Sequence, residues 1–230
     1  MKVLLGPMVA RASGKIGGAV ASSNRYGTYM RRNAKPTVST TPYAQKAKSD
    51  FARVSQTWDT LSVPQMEAWR VWAANNPIVD RLGEKQVLAG NAAFGKINGL
   101  IAWAGGTLLK LPPAVAAPLS LESLTLSGDI GAGAFGATFA ATPLATGIML
   151  LLWACVTDRN GVVYVDNMMR LVAKSEAALA TPWDFQSALE ARFGTLQVGQ
   201  EVHVTLTPWD MGTGLMARGT SGTVTVTSTP

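Results

Sequence analysis

The sequence predicts an α+β protein with an extended N-terminal β arm, a small helical layer and a C-terminal antiparallel β-sandwich of immunoglobulin or fibronectin type. Three observations predict it. Residues 14–36, GKIGGAVASSNRYGTYMRRNAKP, are too basic for a core and too rich in glycine for a good helix. From Thr41 to Gly106 the apolar residues recur at helical steps. Beyond residue 120 the rhythm changes to short apolar and β-branched runs between turn signals. These set the expected pieces at 1–40 (arm), 41–106 (three-helix layer), 107–120 (proline-rich linker) and 121–230 (sandwich with one inserted helix). A chain of 230 residues can bury a sizeable core, and 47% apolar with 15% charged residues excludes disorder on composition.

In the arm, Lys15 to Ser22 and Tyr26 to Arg32 read as two extended runs separated by a turn at Ser23-Asn24-Arg25. Gly14, Gly17, Gly18 and Gly27 weaken it as an isolated hairpin, because glycine loses much backbone entropy on ordering and packs nothing. It needs something to lie against. The net charge of +6 conceals an asymmetry: residues 1–110 hold fifteen Lys and Arg against five acids, whereas residues 111–230 hold five against nine. Asp50 is the first acid of all. A segment so charged seeks an acidic surface or a polyanion. Lys15, Arg25, Tyr26, Tyr29, Arg31, Arg32 and Lys35 are the expected interface residues.

Thr41-Pro42 opens the first helix, with proline where its missing N–H is no loss. Tyr43, Ala47, Phe51, Val54, Trp58 and Leu61 then share one face. Ser62 with Gln65 forms a capping box that starts a second helix through Met66, Trp69 and Ala73, ended by Asn75-Asn76-Pro77. A third runs from about Asn91 to Ala104 on Phe94, Ile97 and Ile101, closed by Gly105-Gly106. Residues 107–120 carry three prolines and no helical period, which predicts a linker or a docked extended strap. Strands are expected at Leu121–Ser127, Phe135–Ala141, Ile148–Val156, Met169–Ala173, Val202–Thr207 and Gly222–Thr227, with an Asn160-Gly161 turn and a helix from Thr181-Pro182 to Phe193. A jelly roll or partly open barrel is the alternative to the sandwich.

Little in the chain points to chemistry. The single cysteine, Cys155, lies in an apolar run and reads as a buried thiol, since a reactive thiolate needs an accessible electropositive site. His203, the one histidine, stands on a strand without clustered partners, as a solvent-side or hydrogen-bonded residue. Asp158 and Asp166 do not match a calcium loop and read as solvated turn carboxylates. Ser13-Gly14-Lys15 lacks the glycine spacing, the hydroxyl after lysine and the helix of a phosphate loop. Trp58 and Trp69 belong to the apolar stripes and read as core. No catalytic, cofactor or metal residues are expected. The opening MKVLLGPMVARA imitates a signal peptide, but Pro7 and the short apolar stretch argue against one, and Leu144–Val156 is too short to span a bilayer.

Three stretches carry a family likeness: the residue 14–36 arm, TPYAQKAKSDFARVSQTWDTLSVPQMEAWRVWA, and LAGNAAFGKIN. Together they resemble a group of tailed-phage and prophage proteins encoded among virion structural genes. The matching positions are Gly14, Lys15, Gly17, Tyr29, Arg31, Pro36, Thr41, Pro42, Gln45, Phe51, Trp58, Gln65, Trp69, Gly90, Asn91, Phe94 and Asn98, so the likeness covers about residues 14–98. One departure is visible. The family's Asn stands two places after the Gly, whereas here Asn91 follows Gly90 directly and Ala92 takes the usual place. The resemblance implies a non-enzymatic virion component, made in the host cytoplasm, whose C-terminal domain would suit the immunoglobulin-like modules such proteins append. The expected station is the head, as a decoration or cementing protein, with neck, tail or baseplate as the alternative. Expected partners are other virion proteins, capsid or tail subunits, and further copies of the chain, with no membrane. Nucleic acid is the second reading of the arm, because Arg25, Tyr26, Tyr29, Arg31 and Arg32 interleave cations with aromatics.

Overall fold

The computed structural model describes residues 13–24, 27–34, 40–79, 84–114, 117–131, 134–140, 144–159 and 161–228. The expectations for the leader-like residues 1–12 and for Arg25, Tyr26, Lys35, Pro36, Ala141 and Asn160 lie outside them. The α+β class is borne out. The chain divides into two compact units, Met1–Gln45 and Lys46–Pro230.

The first unit holds a three-stranded antiparallel meander of β1 (Gly14–Ile16), β2 (Ala19–Asn24) and β3 (Gly27–Arg32), in that order. The expected two-run hairpin is corrected here. Gly17 takes φ 55°, the left-handed region open to glycine, and turns the chain so that Lys15 pairs with Val20 and Gly14 with Ala21. The run Lys15–Ser22 is thus two strands. Ser23 and Asn24, expected in the turn, extend β2, and the Ser23 and Thr28 hydroxyls lie 2.9 Å apart across the ladder. A third strand adds a second ladder to a ribbon that is marginal as a pair.

α1 (Pro42–Asp59), which from Lys46 on belongs to the second unit, forms the helical layer with α2 (Val63–Asn75), the short pair β4 (Ile78–Val79) and β5 (Lys85–Gln86), and α3 (Gly90–Trp103). The capping box is present: the Ser62 N–H donates to Gln65 Oε1 at 2.9 Å. Trp69 and Phe94 are fully buried and meet edge to face at 5.3 Å, and Trp58 tilts against Phe94 at 5.4 Å. Gly90 lets α3 start against α2, for a Cβ there would stand 2.8 Å from Arg70 Cγ. The α1 stripe is only half used. Val54 and Leu61 are buried and Trp58 half-buried, but Phe51 is 75% exposed and Tyr43 49%, so the shared apolar face is covered only toward its C-terminal end.

Residues 107–111 form a docked strap. The Leu109 N–H donates to Asn98 Oδ1 at 2.7 Å, Asn98 Nδ2 returns a bond to the Leu109 carbonyl at 3.2 Å, and Trp69 Nε1 donates to the Lys110 carbonyl at 3.1 Å. Asn98 is fully buried, so its amide replaces the strand partner the strap lacks. Asn98→Ala should therefore cost about 1–3 kcal/mol in urea unfolding, because it strands two backbone groups. Asn98→Asp can keep only the accepting half, and a variant Asn98→Ala as stable as the parent would remove the clamp from the account.

The remainder builds two sheets from β6 (Leu124–Asp129), β7 (Ala134–Phe139), β8 (Ile148–Thr157), β9 (Arg170–Lys174), β10 (Trp183–Asp184), α4 (Gln186–Phe193), β11 (Glu201–Asp210) and β12 (Thr220–Thr225). One sheet runs β10-β7-β6 and the other β12-β11-β8-β9, with every pair antiparallel. The helix expected from Thr181-Pro182 is shorter. Trp183-Asp184 pairs instead with Gly136-Ala137, where the absence of a side chain at Gly136 lets the Trp183 carbonyl come close, and Asp184 Oδ1 accepts the Gln186 N–H at 2.9 Å as α4 begins. The other strands fall where the alternation placed them, shifted by a few residues at their ends.

β8 explains the arrangement. Leu150, Leu152 and Ala154 join Phe135, Phe139, Val202, Val204 and Leu206 in the core between the sheets. Leu151, from the opposite face of the same strand, packs with Trp69, Phe94, Ile101 and Trp209 in the core under the helices. The four-stranded sheet is therefore clad on both faces, which is why its central strand reads as an unbroken apolar run. Gly214, at φ 70°, continues the contact: a Cβ there would lie 2.5 Å from Ile97 Cγ2. Helical layer and sandwich, separate in the sequence reading, share one core.

Candidate assembly interface

The arm's register decides which of its side chains can act together. Alternation along β1, β2 and β3 puts Lys15, Val20 and Arg31 in one cross-strand row, with Ser22 and Tyr29 as the next pair on that face. Arg32 belongs to the opposite face, with Met30 and the buried Ala21. The structure thus brings together Lys15, Tyr29 and Arg31 and separates Arg32 from them. Lys15, Arg31 and Arg32 are exposed, and Tyr29 is half-buried. Among the described residues no carboxylate forms an ion pair with Lys15, Arg31 or Arg32. β3 stands at the end of this sheet and pairs with β2 alone among the described strands.

The other residues weighed for chemistry have structural surroundings. Cys155 is buried at 3% exposure, and desolvation raises its thiol pKa, offset in part by the charge of Arg170. His203 is buried, its Nδ1 2.9 Å from Thr223 Oγ1 and its Nε2 4.0 Å from the Glu201 carboxylate. Asp158 is exposed and accepts a bond from Gln200 Nε2 at 2.7 Å, while Asp166 is exposed on its loop. No group of three or more His, Cys, Asp or Glu among the described residues could hold a metal ion. No helix among them is long and apolar enough to cross a membrane.

A second surface escaped the sequence reading. Residues of α1 and α3 line a groove of about 580 Å³, among them Asp50, Phe51, Trp58, Phe94 and Trp103, with Leu171 of β9. Gly95 and Gly99 also line it, and a Cβ added at either would meet nothing within 4 Å. Two glycines one turn apart in a helix cost about 1 kcal/mol each relative to alanine, a signal that was legible in the sequence. Comparison of the chain with family models, with curated proteins and with solved structures finds no match.

Proposed function

We propose that this chain is a non-enzymatic structural protein of a tailed-phage particle, a head decoration or cementing protein anchored by its N-terminal arm. The observation that carries the reading is the arm itself. It is a three-stranded ribbon whose last strand, β3, pairs with β2 alone among the described strands, set in a 45-residue unit that holds seven Lys and Arg and no acid. Such a ribbon can add to the sheet edge of a neighbouring subunit, main-chain bonds supplying affinity and alternate side chains specificity. Lys15 and Arg31 then meet carboxylates of that neighbour through charge-assisted bonds. The family likeness supports the same reading, since Trp69, Gly90, Phe94 and Asn98 are the residues that build the helical layer and hold its strap.

The strand distribution supports an immunoglobulin- or fibronectin-like reading of the sandwich. Its first, second and fifth strands form one sheet and its third, fourth, sixth and seventh the other. The fourth strand sits on the other sheet from its place in a constant-type immunoglobulin domain.

Proteolysis tests the anchor. Trypsin should cut after Arg31 and Arg32 more slowly in assembled particles than in free protein, because a ribbon bonded into a neighbour must first open locally. Equal rates in both would refute a protein-buried arm. Lys15, Tyr29 and Arg31 on one face also favour a second reading, nucleic-acid binding by cations beside an aromatic ring. Protection that appears only with added DNA and fades as salt rises would select it.

A further inference from the structure

We propose that Glu201 and His203 form a proton-operated clasp, which fastens the loop between β8 and β9 to the four-stranded sheet when His203 is charged and slackens when it is neutral. His203 is 8% exposed and, with Val165, Asp166 and Met169 of that loop and Thr223 of β12, lines a cavity of about 260 Å³. Its two ring nitrogens are unequally provided for. Nδ1 has the Thr223 hydroxyl at 2.9 Å, whereas Nε2 is sealed from solvent and has no hydrogen-bond partner among the described residues. A neutral imidazole carries one N–H and one lone pair, and a hydroxyl can serve Nδ1 in either role, so both neutral tautomers leave Nε2 without a partner.

The acceptor for a charged ring is at hand. Glu201 stands two residues earlier on β11, hence on the same face, and its Oε2 is 4.0 Å from His203 Nε2. The same oxygen accepts the Gly161 N–H at 3.1 Å, at the foot of the loop. A separation of 4.0 Å is too long for a hydrogen bond, but once the ring carries its second proton a movement of about 1 Å makes a charge-assisted one. A carboxylate oxygen has lone pairs for two donors, so the new bond adds to the Gly161 bond and ties the loop to a buried cation. The other ionisable groups around the ring are few. β12 carries none. From β8 comes Cys155, in register with His203 and kept a neutral thiol by burial, and from β9 Arg170, whose charge acts on that thiol and opposes a second cation. Asp158, just after β8, accepts from Gln200, and Asp166 of the loop is exposed.

The inference stands apart from the reading of the arm, and amide exchange of the full chain tests it. Because His203 is the one histidine, its ring resonances report its charge without ambiguity. Exchange at Gly161 is measured by NMR at steps between pH 8 and pH 5, the span in which histidines change charge, and each rate is divided by that of an unprotected amide at the same pH. Gly161 should be protected about threefold or more strongly where the ring is charged than where it is neutral, and the change should track the ring signal. E201Q keeps an acceptor for the Gly161 N–H but loses the charge, so its protection should stay flat over the same span. D166N should behave like the parent. A ring neutral throughout, Gly161 protection that ignores the ring's charge, an E201Q variant with the parent's trend, or loss of the trend in D166N would each overturn the proposal.

Discussion

Trp69→Ala should lower the stability of the protein by about 3–5 kcal/mol, the range for removing a large buried aromatic. The side chain is fully buried, contacts Phe94 and Trp72 edge to face, and its indole N–H holds the Lys110 carbonyl. Its loss opens a cavity and unfastens the strap together. For a chain of this size about 1 kcal/mol corresponds to a shift of about 2–4 °C, so the melting temperature should fall by roughly 6–20 °C. Phe51→Ala, on the same layer but exposed, should change stability by less than about 0.5 kcal/mol. Calorimetry of the pair decides it: similar losses from both would mean that the helical core is not organised around Trp69.

Leu150→Ala and Leu151→Ala should each cost about 2–5 kcal/mol. Neighbours along a strand point to opposite faces, so on a half-solvated sheet one of the two would be nearly free to change. Here both are fully buried, Leu150 between the sheets and Leu151 beneath the helices. Because the two substitutions open cavities in different cores, the double variant should lose close to the sum. Urea titration of the three variants reads the result. One cheap substitution would show that one face of the sheet is not sealed.

Much of the fold was legible because the physics that sets it is local. The steps from Val54 to Leu61, the Ser62–Gln65 box and the run Ile148–Val156 name their elements before any packing is known. What failed was what depends on distant partners. The helix expected at Thr181 gave way to a strand because Gly136, far along the chain, leaves room for the Trp183 backbone. The split of Lys15–Ser22 was within reach, since Gly17-Gly18 is itself a turn signal. In the candidate interface, residue types were readable and grouping was not. Arg31 and Arg32 look like one patch in a line of text, yet consecutive residues of β3 face opposite ways. Phe51 was placed on the apolar face of α1 and yet is exposed, because periodicity reports that a face is apolar and says nothing of who covers it.

The shared core has a bearing on how this protein can be inherited and edited. Prolines between residues 107 and 120 read, in the sequence alone, as a seam between two separable pieces. Yet Leu151 and Trp209, from beyond the seam, lie among Trp69, Phe94 and Ile101 from before it, and Asn98 grips the seam itself. A recombination event or a cloning boundary placed there would carry off half of a hydrophobic interior and leave the other half facing water. The helical layer and the sandwich therefore have to be moved together.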